Sequence, residues 1–106
     1  MGTTEVKSAE HLNEYAKDKG KVLLDFYSPF CGRCTEIWPY FEKQCKDKDI
    51  TFLKVNVLEQ QDVADKYKIE EMPTFIVVDS EAKPTFFIAN GSEDAVNQAI
   101  SEYQKL

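Results

Sequence analysis

Apolar residues change their spacing several times along the chain, and each change marks an element. Leu12, Tyr15 and Ala16 recur at helical spacing after Ser8, a capping residue, with Glu10 in the first turn and Gly20 as a stop. "KVLLDFY", Lys21 to Tyr27, is apolar on both faces and of strand length, the pattern of a central strand covered on both sides. Ile37, Trp38, Phe41 and Cys45 then return to helical spacing, with Pro39 inside the segment, where a proline favours a kink. "TFLKVNV", Thr51 to Val57, predicts a strand, and "QQDVADKYKI" predicts a short helix facing inward through Val63, Ala64 and Tyr67. "TFIVVD" and "PTFFIA" predict two strands joined by the turn "SEAK". Ser92 caps a last helix whose inward face is Val96, Ala99, Ile100 and Tyr103.

The order is helix, strand, helix, strand, helix, strand, strand, helix, with a further short strand near Glu5. Alternation of this kind implies an α/β fold, with a parallel sheet core and helices on both faces. The short turn between the last two strands makes that pair antiparallel and the sheet mixed. With no repeat or linker in 106 residues, a single domain over 1–106 is expected.

Composition narrows the functional classes. The chain is 30% charged with a formal net charge of −6, and it has no basic run, which argues against nucleic acid or an anionic membrane as partner. No apolar run approaches the roughly 18 residues a membrane helix needs. "MGTTEVKSAEH" has no apolar signal core, so a cytoplasmic location is expected. Three cysteines without a secretion signal suggest catalytic or metal roles rather than a disulfide scaffold.

The chemistry concentrates in "DFYSPFCGRC", Asp25 to Cys34. Cys31-Gly32-Arg33-Cys34 falls where a central strand ends and a helix begins, the end of an open α/β sheet where sites form. Two cysteines three apart on a first helical turn bring their sulfurs to one side. Backbone N–H groups and the helix dipole stabilise a thiolate there, and Gly32 permits a tight turn. A low-pKa thiolate attacking a disulfide, with its neighbour resolving the intermediate, is therefore one reading. Zinc is another, but a closed site needs four ligands and only Cys45 and His11 remain, so no metal is expected. A buried structural pair is a third, for which a strand-to-helix mouth is a poor place.

Four stretches resemble the thioredoxin family in order and spacing, over essentially the whole chain. "VLLDFYSPFCGRC" is similar to the family's "VLVDFWAxWCGPC". "IWPYFE" matches the stretch after the cysteines, "FLKVNV" the third strand, and "VADKYKIEEMPTF" the approach to a cis-proline loop. The resemblance implies the thioredoxin fold and protein-disulfide reduction through a Cys31–Cys34 couple. Cys31 would be the exposed nucleophile, Cys34 the buried resolving thiol, and Asp25 a buried carboxyl that takes the Cys34 proton. Lys54 matches a lysine that many members pair with that aspartate. Met72-Pro73 would be cis, with the Met72 backbone open to an added strand of substrate. Phe30 and Gly91 would complete the docking groove. The family binds no cofactor; electrons would come from NADPH through a flavin-dependent thioredoxin reductase. Expected partners are that reductase and disulfide-containing proteins, and the chain is expected to be a monomer.

Departures from the family pattern matter too. Arg33 stands where the family has proline; a fixed positive charge there should favour the Cys31 thiolate and raise the potential. Alternatively, it points to water and selects acidic targets. Tyr27 and Phe30 replace two tryptophans that flank the family's site. Trp38 is expected in core packing, and Cys45 as a small buried hydrophobe. Leu58 replaces a common acidic residue. Two alternatives to a reductase stay open: a disulfide-forming or isomerising domain of protein disulfide isomerase type, and a redox-inactive interaction module.

Overall fold

A computed structural model describes residues 5–106. Four helices and four strands alternate: α1 (Ala9–Lys19), β1 (Lys21–Tyr27), α2 (Gly32–Asp47), β2 (Phe52–Asn56), α3 (Gln61–Lys66), β3 (Thr74–Asp79), β4 (Pro84–Ile88) and α4 (Glu93–Lys105). The strands form a mixed sheet in the order β2-β1-β3-β4.

Period-two alternation in β1 sorts its side chains between two cores. Val22, Leu24 and Phe26 pack with Leu12 and Ala16 of α1 and Val63 of α3. Leu23 faces the other way, onto Ile37, Phe41 and Cys45 of α2 and onto Val96, Ala99 and Ile100 of α4. Asp25 shares the parity of Leu23, so it points toward α2. β3 divides its residues in the same way, Ile76 and Val78 to the first core and Phe75 and Val77 to the second. A ring cluster fixes the seat of α2: Phe41 stacks on Phe75 with centroids 5.2 Å apart and meets Phe52 edge-on at 5.7 Å.

Local signals in the sequence set the helix ends. Ser8 Oγ accepts the His11 N–H at 2.9 Å, and Ser92 Oγ accepts the Ala95 N–H at 3.1 Å, each closing an N-cap. Gly20 ends α1 at φ 91°, a left-handed conformation that glycine adopts without a Cβ penalty.

The expected parallel core is corrected. Only β1 and β2 run parallel; β3 is antiparallel to β1, and β4 to β3. Helix length explains the difference. The 16 residues of α2 span about 24 Å, enough to carry the chain back along the sheet. The 6 residues of α3 span about 9 Å, less than the length of a strand. The chain therefore re-enters the sheet from the end it left. The strand expected near Glu5 is a single parallel bridge to Lys54, with the Val6 N–H donating to the Lys54 carbonyl at 2.8 Å.

Candidate active site

Cys31 is the N-cap of α2 and Cys34 lies in its first turn. The two form a disulfide with Cα atoms 5.3 Å apart. Cys34 is buried and Cys31 partly exposed. The Cys34 backbone N–H donates to Cys31 Sγ at 3.1 Å. A helix N-terminus thus aims a donor at the more accessible sulfur, where it favours negative charge. The strand-to-helix turn is fixed by two bonds to Ser28: its carbonyl accepts the Cys31 N–H at 3.1 Å and its Oγ accepts the Phe30 N–H at 3.1 Å.

Beneath the disulfide lies Asp25, 1% exposed, with no hydrogen-bond partner at Oδ1 among the described residues. This excludes an edge-facing surface aspartate. Burial pushes its carboxyl up to about 7, the Lys54 charge opposes that rise, and Glu5 adds to it. A cavity of about 170 Å³ joins Asp25 to Cys34; Tyr27, Thr35, Trp38 and Lys54 also line it. The carboxyl and the Cys34 side therefore face one partly open space.

Lys54 stands opposite Asp25 in the β1–β2 register. Its ammonium, however, is engaged elsewhere. Nζ lies 4.5 Å from the centroid of the Tyr27 ring, 4.2 Å from that of Trp38, and 4.0 Å from Glu5 Oε2. Lys54 acts on the Asp25 carboxyl through its charge, as the resemblance implies, while its ion-pair contact is with Glu5. Trp38 is therefore half in the core, against Phe41 and Phe52, and half a wall of the site.

The rim also assembles from distant segments. The Met72–Pro73 bond is cis, and the Met72 carbonyl oxygen lies 3.7 Å from Cys31 Sγ. Thr74 Oγ1 donates to the Glu71 carbonyl at 2.7 Å, bracing that loop. Gly91 faces Pro73 and Arg33 so closely that a Cβ there would sit 2.6 Å from Arg33 Cγ and 3.1 Å from Pro73 Cδ. Phe30 stands beside the disulfide and is 88% exposed, with Met72 at 36%. Gly32 has open space around its Cα.

Arg33 pairs with Glu36 at 3.1 Å, one turn along α2. The sequence carries that signal as an i,i+3 pair of opposite charge. Glu5 carried no such local signal. Cys45 is fully buried in the α2–α4 core, and burial pushes its thiol far up. Leu58 is exposed beyond β2. Among the described residues, no group of three or more His, Cys, Asp or Glu is placed to hold a metal, and no helix is long and apolar enough to cross a membrane.

Comparison with known proteins identifies this arrangement. The thioredoxin family model matches residues 2–102. The chain belongs to the thioredoxin family. It is 40% identical over 75 residues to a thioredoxin of Mycoplasma pneumoniae, covering 70% of this chain and 74% of that one. It is 33% identical over 95 residues to thioredoxin H-type 2 of Nicotiana tabacum, covering 89% and 80%. In three dimensions it matches the thioredoxin of Plasmodium falciparum with a TM-score of 0.87 at 28% identity, over 95% of this chain and 99% of that one. Family and bonded cysteine pair together make the chain a thiol–disulfide oxidoreductase of the dithiol-exchange type. Neither an isomerase-type domain nor an inactive interaction module is favoured. Thioredoxins act on disulfide-containing substrates and bind no cofactor themselves.

Proposed function

We propose that the chain is a protein-disulfide reductase. The Cys31 thiolate attacks one sulfur of a target disulfide, forming a mixed disulfide and expelling the target's other sulfur as a thiolate. Cys34, its proton passed to Asp25, then attacks Cys31 Sγ. The target's second sulfur leaves as a thiolate, and Cys31–Cys34 is left as a disulfide, having given up the two electrons the target has gained. The observation that carries this reading is the shared cavity of Cys34 and Asp25 beneath a Cys31 sulfur that accepts a helix N-terminal N–H.

Phe30, Met72, Pro73 and Gly91 form the docking rim, with the Met72 backbone beside Cys31 available to pair with a substrate strand. Gly32 opens α2 in helical conformation with room for a side chain, so the turn does not depend on glycine there; Arg33 and Lys54 tune the charge around the pair. With no nucleotide motif in the sequence, the electrons come from outside: NADPH through a flavin-dependent thioredoxin reductase. The protein acts as a cytoplasmic monomer.

Insulin-disulfide reduction with dithiothreitol tests the roles. Cys31→Ser abolishes turnover. Cys34→Ser, incubated with a disulfide-containing protein, accumulates a mixed disulfide at Cys31. Turnover by Cys31→Ser at the native rate would overturn the assignment.

A further inference from the structure

Glu5 lies outside every helix and strand, yet it touches the site at three points. Its backbone bridges to Lys54 in β2. Its Oε2 accepts the Tyr27 hydroxyl at 2.6 Å. The same oxygen is 4.0 Å from Lys54 Nζ. Tyr27 in turn presents its ring to that ammonium, and Trp38 of α2 covers another side. The ammonium is thus held by two ring faces and one carboxylate, all belonging to residues other than Asp25. Asp25 Oδ1 has no hydrogen-bond partner among the described residues, although Lys54 is its neighbour across the strand pair.

We infer that Glu5, clamped by Tyr27, is a positioning residue that holds the Lys54 ammonium away from the Asp25 carboxyl. The inference rests on the reading of Asp25 as the group that takes the Cys34 proton. A lysine free to swing onto a buried carboxylate would stabilise its charged form strongly, since little water competes. The carboxyl would then ionise well below neutrality and become a poor proton acceptor. A lysine removed altogether would leave the carboxyl too reluctant to ionise. Glu5 sets the intermediate case. Its position also explains how Lys54 tolerates partial burial, with a side chain only 20% exposed: the two rings and the carboxylate replace part of its hydration.

The charged and titratable groups around Asp25 are few. Lys54 faces it from β2, Glu5 from the bridged segment, Tyr27 from two residues along β1, and Cys34 and Cys45 from α2. Burial and the Glu5 hydrogen bond push the Tyr27 phenol up, so it stays a proton donor to Glu5 across the working pH range. Cys45 is likewise held as a thiol. Changes in the Asp25 titration near neutrality therefore report Lys54, Glu5 and Cys34; in the oxidised protein Cys34 drops out.

The test is the Asp25 titration itself, followed by the side-chain carboxyl carbon signal in NMR of the oxidised protein. Glu5→Gln is measured in the native and in the Lys54→Gln backgrounds. Glu5→Gln keeps the shape of the side chain and the backbone bridge, so the fold is retained. In the native background it frees Lys54, and Asp25 titrates about one pH unit lower. In the Lys54→Gln background no ammonium remains to move, and the shift falls to less than half of that. Equal shifts in the two backgrounds, or none in the first, would overturn the inference: Glu5 would then act only as a distant charge, or not at all. The pH profile of target release from the mixed disulfide separates the inference from the reading beneath it. If Glu5→Gln moves the titration but Asp25→Asn leaves the release rate unchanged, Glu5 positions Lys54 and Asp25 is not the proton acceptor.

Discussion

Replacing Asp25 by asparagine should make the oxidised protein more stable at alkaline pH, and less so with every step toward acid. The sign follows from linkage. In the folded protein the carboxyl ionises at about 7, against 3.8 for an unperturbed aspartate, and burial is the main cause. Between these values the unfolded chain has released the proton and the folded chain has kept it. Stability therefore falls as pH rises through this window, by about 1.4 kcal/mol per unit. The contribution is fully present below pH 3.8 and lost above about 7. The window is about three units wide, so the loss totals about 4 kcal/mol, a large part of a typical small domain's stability. Asparagine carries no proton to lose, so the slope vanishes with it. Its buried amide adds an offset that does not depend on pH. Other groups, such as Asp79, whose carboxyl is held low by backbone N–H groups of Lys83 and Glu81, titrate alike in both proteins and cancel in the difference. The assay is urea denaturation of oxidised wild type and Asp25→Asn at half-unit steps from pH 4 to 9. The difference in unfolding free energy should climb in favour of the variant and level off above about 7. A difference that stays flat across the range would refute the argument, because it would mean Asp25 ionises alike in both states.

Two further substitutions probe the rim. Gly91→Ala places a Cβ 2.6 Å from Arg33 Cγ and 3.1 Å from the Pro73 ring, so the groove wall must shift. We expect about a tenfold loss of kcat/KM on insulin, with little change on a small aromatic disulfide that needs no groove; equal losses on both would refute a docking role. Arg33→Pro removes a charge that Glu36 already pairs at 3.1 Å, on a half-exposed side chain. The redox potential should therefore fall by no more than about 20 mV, the equivalent of about 1 kcal/mol, and identical potentials would show that Arg33 does not tune the couple.

Elements whose signals are local were legible in the sequence. Ser8 and Ser92 announce caps, Gly20 announces a stop, and the apolar run from Val22 to Phe26 announces a strand with both faces covered. The direction of β3 was not legible. It depends on whether α3 is long enough to return the chain, and "QQDVADKYKI" shows helical spacing without showing that only Gln61–Lys66 winds into helix. Strand order was open for the same reason: nothing in β1 names β3 as its neighbour rather than β4. The cysteine pair and Asp25 stood out because each breaks its surroundings, a carboxylate in an apolar strand and two thiols at a helix start. The rim residues Met72, Pro73 and Gly91 are ordinary in isolation and gained meaning only from resemblance, because the contacts that tie Met72 and Gly91 to the cysteine turn reach across more than 40 residues.

Charge around the site shows why pairing, rather than residue identity, decides its behaviour. The sequence places two cations near the cysteines, Arg33 and Lys54, and each suggests strong tuning of the couple. In the fold each is engaged by a glutamate, Arg33 by Glu36 at 3.1 Å and Lys54 by Glu5 at 4.0 Å. Arg33 is also half in water, where its field is weakened further. Asp25, by contrast, is 1% exposed and has no hydrogen-bond partner at Oδ1 among the described residues. A buried carboxyl that ionises only at about 7 changes the charge of the site near neutrality, which two paired cations at its margin do not. The pH dependence of the site therefore follows Asp25. Because Lys54 is the cation that can reach it, the glutamate that restrains Lys54 has more influence on the chemistry than the arginine lying between the two cysteines.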